Sequence, residues 1–199
     1  MQSNDHGDFR IIDPYAMYFI TSTADGWVDV FSRRQCKDIV IDSLKYCQQE
    51  KGLLVYAYVI MESHIHLVVA ADPGSDGLSA ILRDFKKFTS KKIIKWIDDN
   101  PRESRRYWMD VVFKYHGKYN HRNKTYQVWQ QHNCPKLCQL PKFTMQKINY
   151  IHNNPVKAGI VDRAVDYKYS SARAYAGLGQ SMLDVIVYDY RSDVGFVLG

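Results

Sequence analysis

Two histidines one residue apart, His64 and His66, open an apolar stretch that runs to Val69. Side chains alternate between the faces of a β-strand, so both imidazoles point one way while Ile65 and Leu67 turn the other way. Imidazoles about 6–7 Å apart on one strand face can share a divalent metal ion if a third ligand comes from elsewhere. Two surface histidines on an ordinary edge strand are the alternative that this spacing leaves open.

A second candidate group lies on a predicted helix over 143–153. Gln146, Tyr150 and Asn154 are four residues apart, so they share one helix face at intervals of about one turn. This face could present a tyrosine nucleophile beside an amide that ligates a metal. Pro155 disfavours helical geometry in the residue before it, so we expect Asn154 at or just past the helix end. A helix stop with a half-buried tyrosine is the alternative.

The segments ahead of this helix alternate between strand and helix patterns. The predicted strands are 15–23, 53–61, 64–70 and 126–130, and the predicted helices are 33–50 and 78–98. Their β-α-β-β-α-β order predicts an α+β, ferredoxin-like split βαβ fold, in which an antiparallel sheet has helices on one face. The helix that carries Tyr150 follows, and a short helix is predicted over 170–175. We expect a flexible N-terminus at 1–14, a single domain at 15–175 and a C-terminal tail at 176–199.

Positive charge is concentrated in two places in this chain of net charge +6. The helix over 78–98 has an apolar stripe that includes Phe88, and a basic flank formed by Arg83, Lys86, Lys87, Lys91 and Lys95. The segment 102–124 interleaves aromatic rings with basic residues, among them Arg105, Arg106 and Lys114. Ammonium and guanidinium groups beside stacking rings suit single-stranded nucleic acid. A solvated helix face and an insertion that packs its rings on the body are the alternatives.

Composition limits the remaining classes of function. The 46% hydrophobic content suits one globular domain, and no apolar run approaches the roughly 20 residues of a membrane span. The polar N-terminus lacks a signal pattern, so we expect a cytoplasmic protein with no membrane partner. Cys134 and Cys138 with His132 resemble half of a zinc site, but a second matching pair of ligands is missing from the sequence.

Two blocks of sequence are similar to the single-tyrosine HUH transposases, and specifically to the branch of REP-associated tyrosine transposases. The blocks run from Met61 to Val69 and from Tyr150 to Val161, and the stretches 128–131 and 166–173 match the usual continuation of that branch. The resemblance extends over about 15–175. Glu62-Ser63 stands where the family often has Pro-Asn or Pro-Glu, a departure that removes no ligand.

This resemblance implies metal-dependent cleavage and rejoining of DNA strands in the transposition of insertion-sequence or repeat elements. By position, His64 and His66 would be the metal pair, Asn154 a further ligand, and Tyr150 the nucleophile that forms a 5′-phosphotyrosine and leaves a 3′-hydroxyl. The metal would be Mg²⁺ or Mn²⁺, and neutral imidazoles favour Mn²⁺. A phenol ordinarily has a pKa near 10, so its deprotonation needs assistance.

The implied partner is single-stranded DNA that forms hairpins, which would bring the protein to the nucleoid. Relatives include monomers and dimers that share a sheet, so a homodimer in which Tyr150 serves the partner's histidines stays open. A non-catalytic nucleic-acid-binding module of the same fold is the main functional alternative. A two-histidine phosphoesterase would need two His-x-Ser/Thr motifs, whereas Leu67 follows the single histidine pair here.

Overall fold

Strands paired in the order β2-β3-β1-β4 form an antiparallel sheet at the centre of the protein. The structure is a computed structural model that describes residues 10–118 and 125–189. The strands are β1 (Tyr18–Thr23), β2 (Leu53–Ile60), β3 (His64–Ala71) and β4 (Lys136–Leu137). The interior strand β3 is buried along almost its whole length, as expected of an apolar run with neighbours on both sides. This order confirms the predicted ferredoxin-like α+β fold.

Five α-helices form among the described residues; four of them match helices that the sequence predicts, whereas the one within 102–124 is not predicted. They are α1 (Arg34–Lys51), α2 (Leu78–Asp99), α3 (Arg106–Lys118), α4 (Pro141–Lys157) and the single-turn α5 (Ala172–Tyr175). The apolar faces of α1 and α2 pack against each other and against the sheet. Gly52 ends α1 in the left-handed conformation with φ at 68°, which favours glycine. No helix among the described residues is both long and apolar enough to cross a membrane.

Phe88 is an exception to the predicted apolar stripe of α2. Its side chain is 49% exposed, and the Lys92 ammonium lies 5.5 Å from the centroid of its ring. Phe85 and Thr89 instead provide the buried positions in this turn. Phe88 is displaced from them around the helix axis, and therefore reaches only the margin of the buried face.

The predicted strand at 126–130 is wrong in position. Of that segment, only Trp129 forms a bridge, with Ala24, and the two-residue strand β4 pairs further along with the start of β1. Between them the chain follows the edge of β1 irregularly, with hydrogen bonds from the Gln130 N–H to the Thr23 carbonyl and from the Thr21 N–H to the Asn133 carbonyl, both at 2.9 Å. Cys134 has a positive φ of 42° and Pro135 has no N–H to donate, so neither continues a regular ladder.

Helix α4 runs past Pro155, so the expectation that Asn154 lies at the helix end is wrong. The carbonyl of Asn154 accepts a hydrogen bond from the Ala158 N–H at 3.0 Å, which keeps Asn154 inside the last helical turn. A proline so close to the C-terminus removes one donor without interrupting a long helix, and Pro155 is itself buried.

The chain beyond α4 returns along the outer edge of β2. The Tyr167 hydroxyl donates to the Ile60 carbonyl at 2.7 Å, and the Ile186 N–H donates to the Val55 carbonyl at 2.9 Å. The predicted short helix over 170–175 is confirmed as α5. Parts of three predicted segments, residues 1–9, 119–124 and 190–199, lie outside the described residues.

Candidate active site

The two histidines lie on an interior strand. His66 is opposite Thr21 of β1 and is only 5% exposed, so the alternative of surface histidines on an edge strand is wrong. Its Nδ1 lies 2.9 Å from the Thr21 hydroxyl, which fixes the orientation of the ring. The centroids of the His64 and His66 rings are 4.7 Å apart, as expected for neighbours on one face of a strand.

Burial keeps both imidazoles neutral at pH 7. It lowers the pKa of His66 to about 3, with smaller contributions from the positive charges of His64 and Lys147, and it also lowers the pKa of His64. A neutral imidazole has a lone pair to give to a metal ion. Among the described residues, the buried side-chain atoms without a hydrogen-bond partner are His66 Nε2 and Asn154 Nδ2. Unsatisfied buried polar atoms are uncommon and often mark a binding site.

Helix α4 packs on β2 and β3 and brings Tyr150 to the histidines. The Tyr150 ring meets His66 edge to face, with 5.2 Å between the ring centroids, and is 40% exposed. Phe19 of β1 completes the cluster, because its ring stacks on His66 at 5.4 Å and meets the edge of Tyr150 at 6.0 Å. Residues 64, 66 and 150 of one chain therefore form one cluster, and Tyr150 keeps access to solvent.

Two lysines that we did not predict flank the tyrosine. The ammonium groups of Lys147 and Lys157 lie 5.9 and 5.8 Å from the centroid of the Tyr150 ring. Burial and the charge of Lys136 lower the pKa of Lys147. Lys147 precedes Tyr150 by three residues and Lys157 follows it by seven. Both spacings place the lysine on the same helix face as the tyrosine, so the sequence alone could have predicted their closeness.

The buried His66 Nε2 without a partner suits a divalent metal ion, and the neighbouring His64 imidazole offers a second donor. No group of three or more His, Cys, Asp or Glu side chains within the described residues could hold such an ion, and this includes His132, Cys134 and Cys138. The ligand set that the sequence predicts is two neutral imidazoles and the amide of Asn154, which lies on α4 one turn after Tyr150. The nitrogen and oxygen of an amide are assigned rather than observed, so a half-turn of the Asn154 amide would offer its oxygen instead. Such a nitrogen-rich set suits Mn²⁺ better than Mg²⁺.

Four of the predicted DNA-binding residues lie together along a groove. Arg83, Lys86, Lys87 and Lys91 of α2 line a groove of about 1080 Å³ whose other wall is the segment 125–135. Lys86 is the deepest of them, since its ammonium donates to the Gln130 carbonyl at 2.8 Å and burial lowers its pKa to about 8.

The other predicted basic residues lie outside that groove. Arg105 is held between Glu103 and Asp29, which gives its guanidinium a role inside the fold. Lys95 and Lys114 each form an ion pair one turn along their own helix, with Asp99 and Asp110 at 2.7 Å. Arg106 is exposed at the start of α3. Of the eight predicted basic residues, four therefore line the groove and four lie outside it.

Comparisons with known proteins agree with this fold. Residues 20–117, about half of the chain, match the family described as "Transposase IS200 like". A solved structure titled "Structure of the REP associates tyrosine transposase bound to a REP hairpin" is similar, with a TM-score of 0.55 and 17% sequence identity over 90% of this chain and 92% of that chain. No curated protein matches the sequence.

The chain belongs to the IS200-like transposase family, a family of DNA-processing enzymes. The structural likeness, at 17% identity, concerns the fold. The matched range contains both histidines and ends before α4.

Proposed function

We propose that this protein cleaves and rejoins single-stranded DNA through Tyr150, with a divalent metal ion held by His64, His66 and Asn154. The observation that carries the proposal is the contact between the Tyr150 and His66 rings, whose centroids are 5.2 Å apart. The buried Nε2 of His66 has no hydrogen-bond partner. A nucleophile and a candidate metal ligand thus meet at a surface that substrate can reach.

The residues of the cluster have separate roles in this reaction. His64, His66 and Asn154 would hold the Mn²⁺ or Mg²⁺ ion, which would polarise the scissile phosphate and offset its developing charge. The Tyr150 oxygen loses its proton and forms a bond to phosphorus, while the bond from phosphorus to the 3′ oxygen breaks and that oxygen takes up a proton. The ammonium groups of Lys147 and Lys157 stabilise negative charge that gathers on the phenol and phosphate oxygens.

Rejoining reverses these bonds. The 3′-hydroxyl of a DNA end attacks the phosphotyrosine, the phosphodiester forms, and the Tyr150 phenol is released. The energy of the broken bond is kept in the covalent intermediate, so strand transfer needs no nucleotide cofactor. The contact between His66 and Tyr150 of one chain supports a reaction within a single protomer, and we propose that a homodimer is not required.

We further propose that the groove beside α2 binds the backbone of hairpin-forming single-stranded DNA. The related structure is of a protein bound to a REP hairpin, and the groove here has a basic wall formed by Arg83, Lys86, Lys87 and Lys91. Binding of this kind releases counterions, so affinity should fall steeply with salt. Equal affinity for blunt duplex, or a flat response to salt, would count against this substrate.

The decisive experiment traps the covalent intermediate. A labelled hairpin oligodeoxynucleotide with single-stranded arms is incubated with Mn²⁺, and adducts that survive denaturing electrophoresis are counted. We expect an adduct with the wild-type protein and with Tyr46→Phe, which changes an exposed tyrosine on α1. We expect none with Tyr150→Phe or after the metal is chelated. Adducts that persist in Tyr150→Phe would refute the assignment of the nucleophile.

The same experiment separates cleavage from simple binding. A wild-type protein that binds the hairpin tightly in Mn²⁺ and yields no adduct would favour a non-catalytic module of this fold. Loss of the adduct in the double variant His64→Ala, His66→Ala, with binding of the hairpin retained, would support the proposed metal pair.

A further inference from the structure

Trp27 lies at the rim of the candidate active site, in a part of the chain to which the proposed reaction gives no role. It ends a single-turn 3₁₀ helix, Asp25–Trp27, that directly follows β1. The Trp27 ring meets His64 edge to face, with 6.2 Å between the ring centroids, and the residue is 65% exposed. The rings of Trp27, His64, His66 and Tyr150 form a continuous row, each in contact with the next.

The backbone that presents Trp27 is strained. Gly26 and Trp27 both have positive φ, at 63° and 56°, and a bulky side chain rarely adopts this conformation. The buried carboxylate of Asp25 holds the turn by accepting hydrogen bonds from the Gly26 N–H at 3.0 Å and from the Gln127 amide. The Ala24 N–H also donates to the Ser63 carbonyl at 2.8 Å, which ties the turn to the residue before His64.

Packing does not explain a tryptophan at this position. Trp129 illustrates the structural use of this residue, since it is buried against Phe31 and Phe85 and donates its indole N–H to Thr89. Trp27 instead leaves most of its ring in solvent, on a backbone that a glycine would adopt without strain. Strained residues that gain little from packing tend to occur at binding sites and active sites.

We propose that the Trp27 indole stacks on an unpaired base of the DNA and so positions the adjoining phosphate at His64 and His66. This inference rests on the proposed function, because it takes single-stranded DNA as the substrate. Aromatic side chains stack on all four bases, so Trp27 would align the strand without selecting its sequence. The rigid turn around Asp25 holds the indole ready for that contact.

Binding measurements on a cleavage-inactive background test this role. Each protein carries Tyr150→Phe, so no adduct forms and affinity alone is measured. The probes are hairpin oligodeoxynucleotides with a single-stranded arm of about ten nucleotides, made either of thymidines or of abasic residues. Both arms offer the same phosphates, and only the thymidine arm offers bases. The ratio of the two affinities therefore reports stacking.

We expect Trp27→Ala to reduce the preference for the thymidine arm by about 5- to 150-fold, the range for the loss of one stacked base, with the affinity for the abasic arm unchanged. Trp27→Gly should do the same and also relieve the positive φ, so it serves as the test if Trp27→Ala folds poorly. Tyr46→Ala, which removes an exposed ring on α1, should keep the preference.

Two results would overturn the role of Trp27. One is an unchanged preference for thymidine in Trp27→Ala and Trp27→Gly, and the other is a protein that shows no preference before Trp27 is changed. Neither result bears on cleavage, because the adduct assay with intact Tyr150 decides that separately. A missing adduct together with a preference for thymidine that depends on Trp27 would refute cleavage and retain the stacking contact.

Discussion

Acidification should loosen the helix that carries Tyr150, because a histidine that anchors this helix is buried in its neutral form. His152 of α4 is 9% exposed, and its Nε2 lies 2.8 Å from the Ser171 hydroxyl. Ser171 is bonded in turn to the backbone of Tyr58 in β2, and Tyr175 packs edge to face against the imidazole at 4.9 Å. His152 therefore connects α4 to β2 two residues from the proposed nucleophile.

The size of the effect follows from the pKa of His152 in the two states. Burial lowers this pKa from 6.5 to about 4 in the folded protein, whereas the unfolded chain keeps the ordinary value. The unfolded state therefore binds the proton first as pH falls. The contribution of His152 is fully present above pH 6.5 and is lost progressively down to about pH 4. The loss reaches about 2 kcal/mol at pH 5 and about 3 kcal/mol below pH 4.

The measurement compares wild type with His152→Gln, which keeps a polar group near Ser171 and cannot titrate. The free energy of unfolding in urea is determined by circular dichroism at pH 7.5 and pH 5. His66 also has a lowered pKa and remains in both proteins, so it cancels in the comparison. We expect wild type to lose about 2 kcal/mol more than the variant. Equal losses in the two proteins would show that His152 is not held neutral by burial.

Three further predictions concern the site, the groove and the fold. Lys147→Met removes an ammonium group beside the tyrosine. We expect the adduct to form about tenfold more slowly in single-turnover assays, with unchanged hairpin affinity. An unchanged rate would exclude a role of Lys147 in charge stabilisation. Changing Lys87 and Lys91 together to Gln should reduce the slope of log affinity against log salt by about 1.4, measured by anisotropy, and an unaltered slope would place the DNA elsewhere. Gly117→Ala would bring a Cβ within 2.5 Å of the Tyr126 backbone, so we expect the free energy of unfolding in urea to fall by about 1–3 kcal/mol. A variant as stable as wild type would contradict the close packing of Gly117 against Tyr126.

The sequence predicts the elements of this fold best where apolar periodicity and burial coincide. Helix α2 was predicted at 78–98 and spans Leu78–Asp99, because its buried residues recur at helical spacing. The fourth strand was misplaced for the opposite reason. Val128 and Trp129 are buried, as their apolar character suggests, but burial there comes from packing rather than from regular pairing. Where an edge segment meets β1 depends on contacts that are distant in sequence.

The residues of the candidate site also divide into those that local sequence patterns reveal and those that depend on contacts distant in sequence. His64, His66 and Tyr150 could be found because alternation on a strand and spacing on a helix are local properties. The role of Arg105 could not be found, because its carboxylate partner Asp29 lies 76 residues away and no local pattern reveals the pair. Trp27 gave only a weak signal, a bulky residue directly after an Asp-Gly turn. Its closeness to His64 depends on the pairing of β1 with β3.

Strand β1 links the groove to the cluster in the proposed reaction. Its consecutive residues Thr21 and Ser22 point to opposite faces, since the Thr21 hydroxyl meets His66 and the Ser22 hydroxyl donates to Asn133 in the wall of the groove. DNA bound in the groove must therefore pass from one face of the sheet to the other to reach Tyr150. Binding and cleavage then depend on different side chains, so the salt response of the groove variants and the adduct rate of Lys147→Met should change independently.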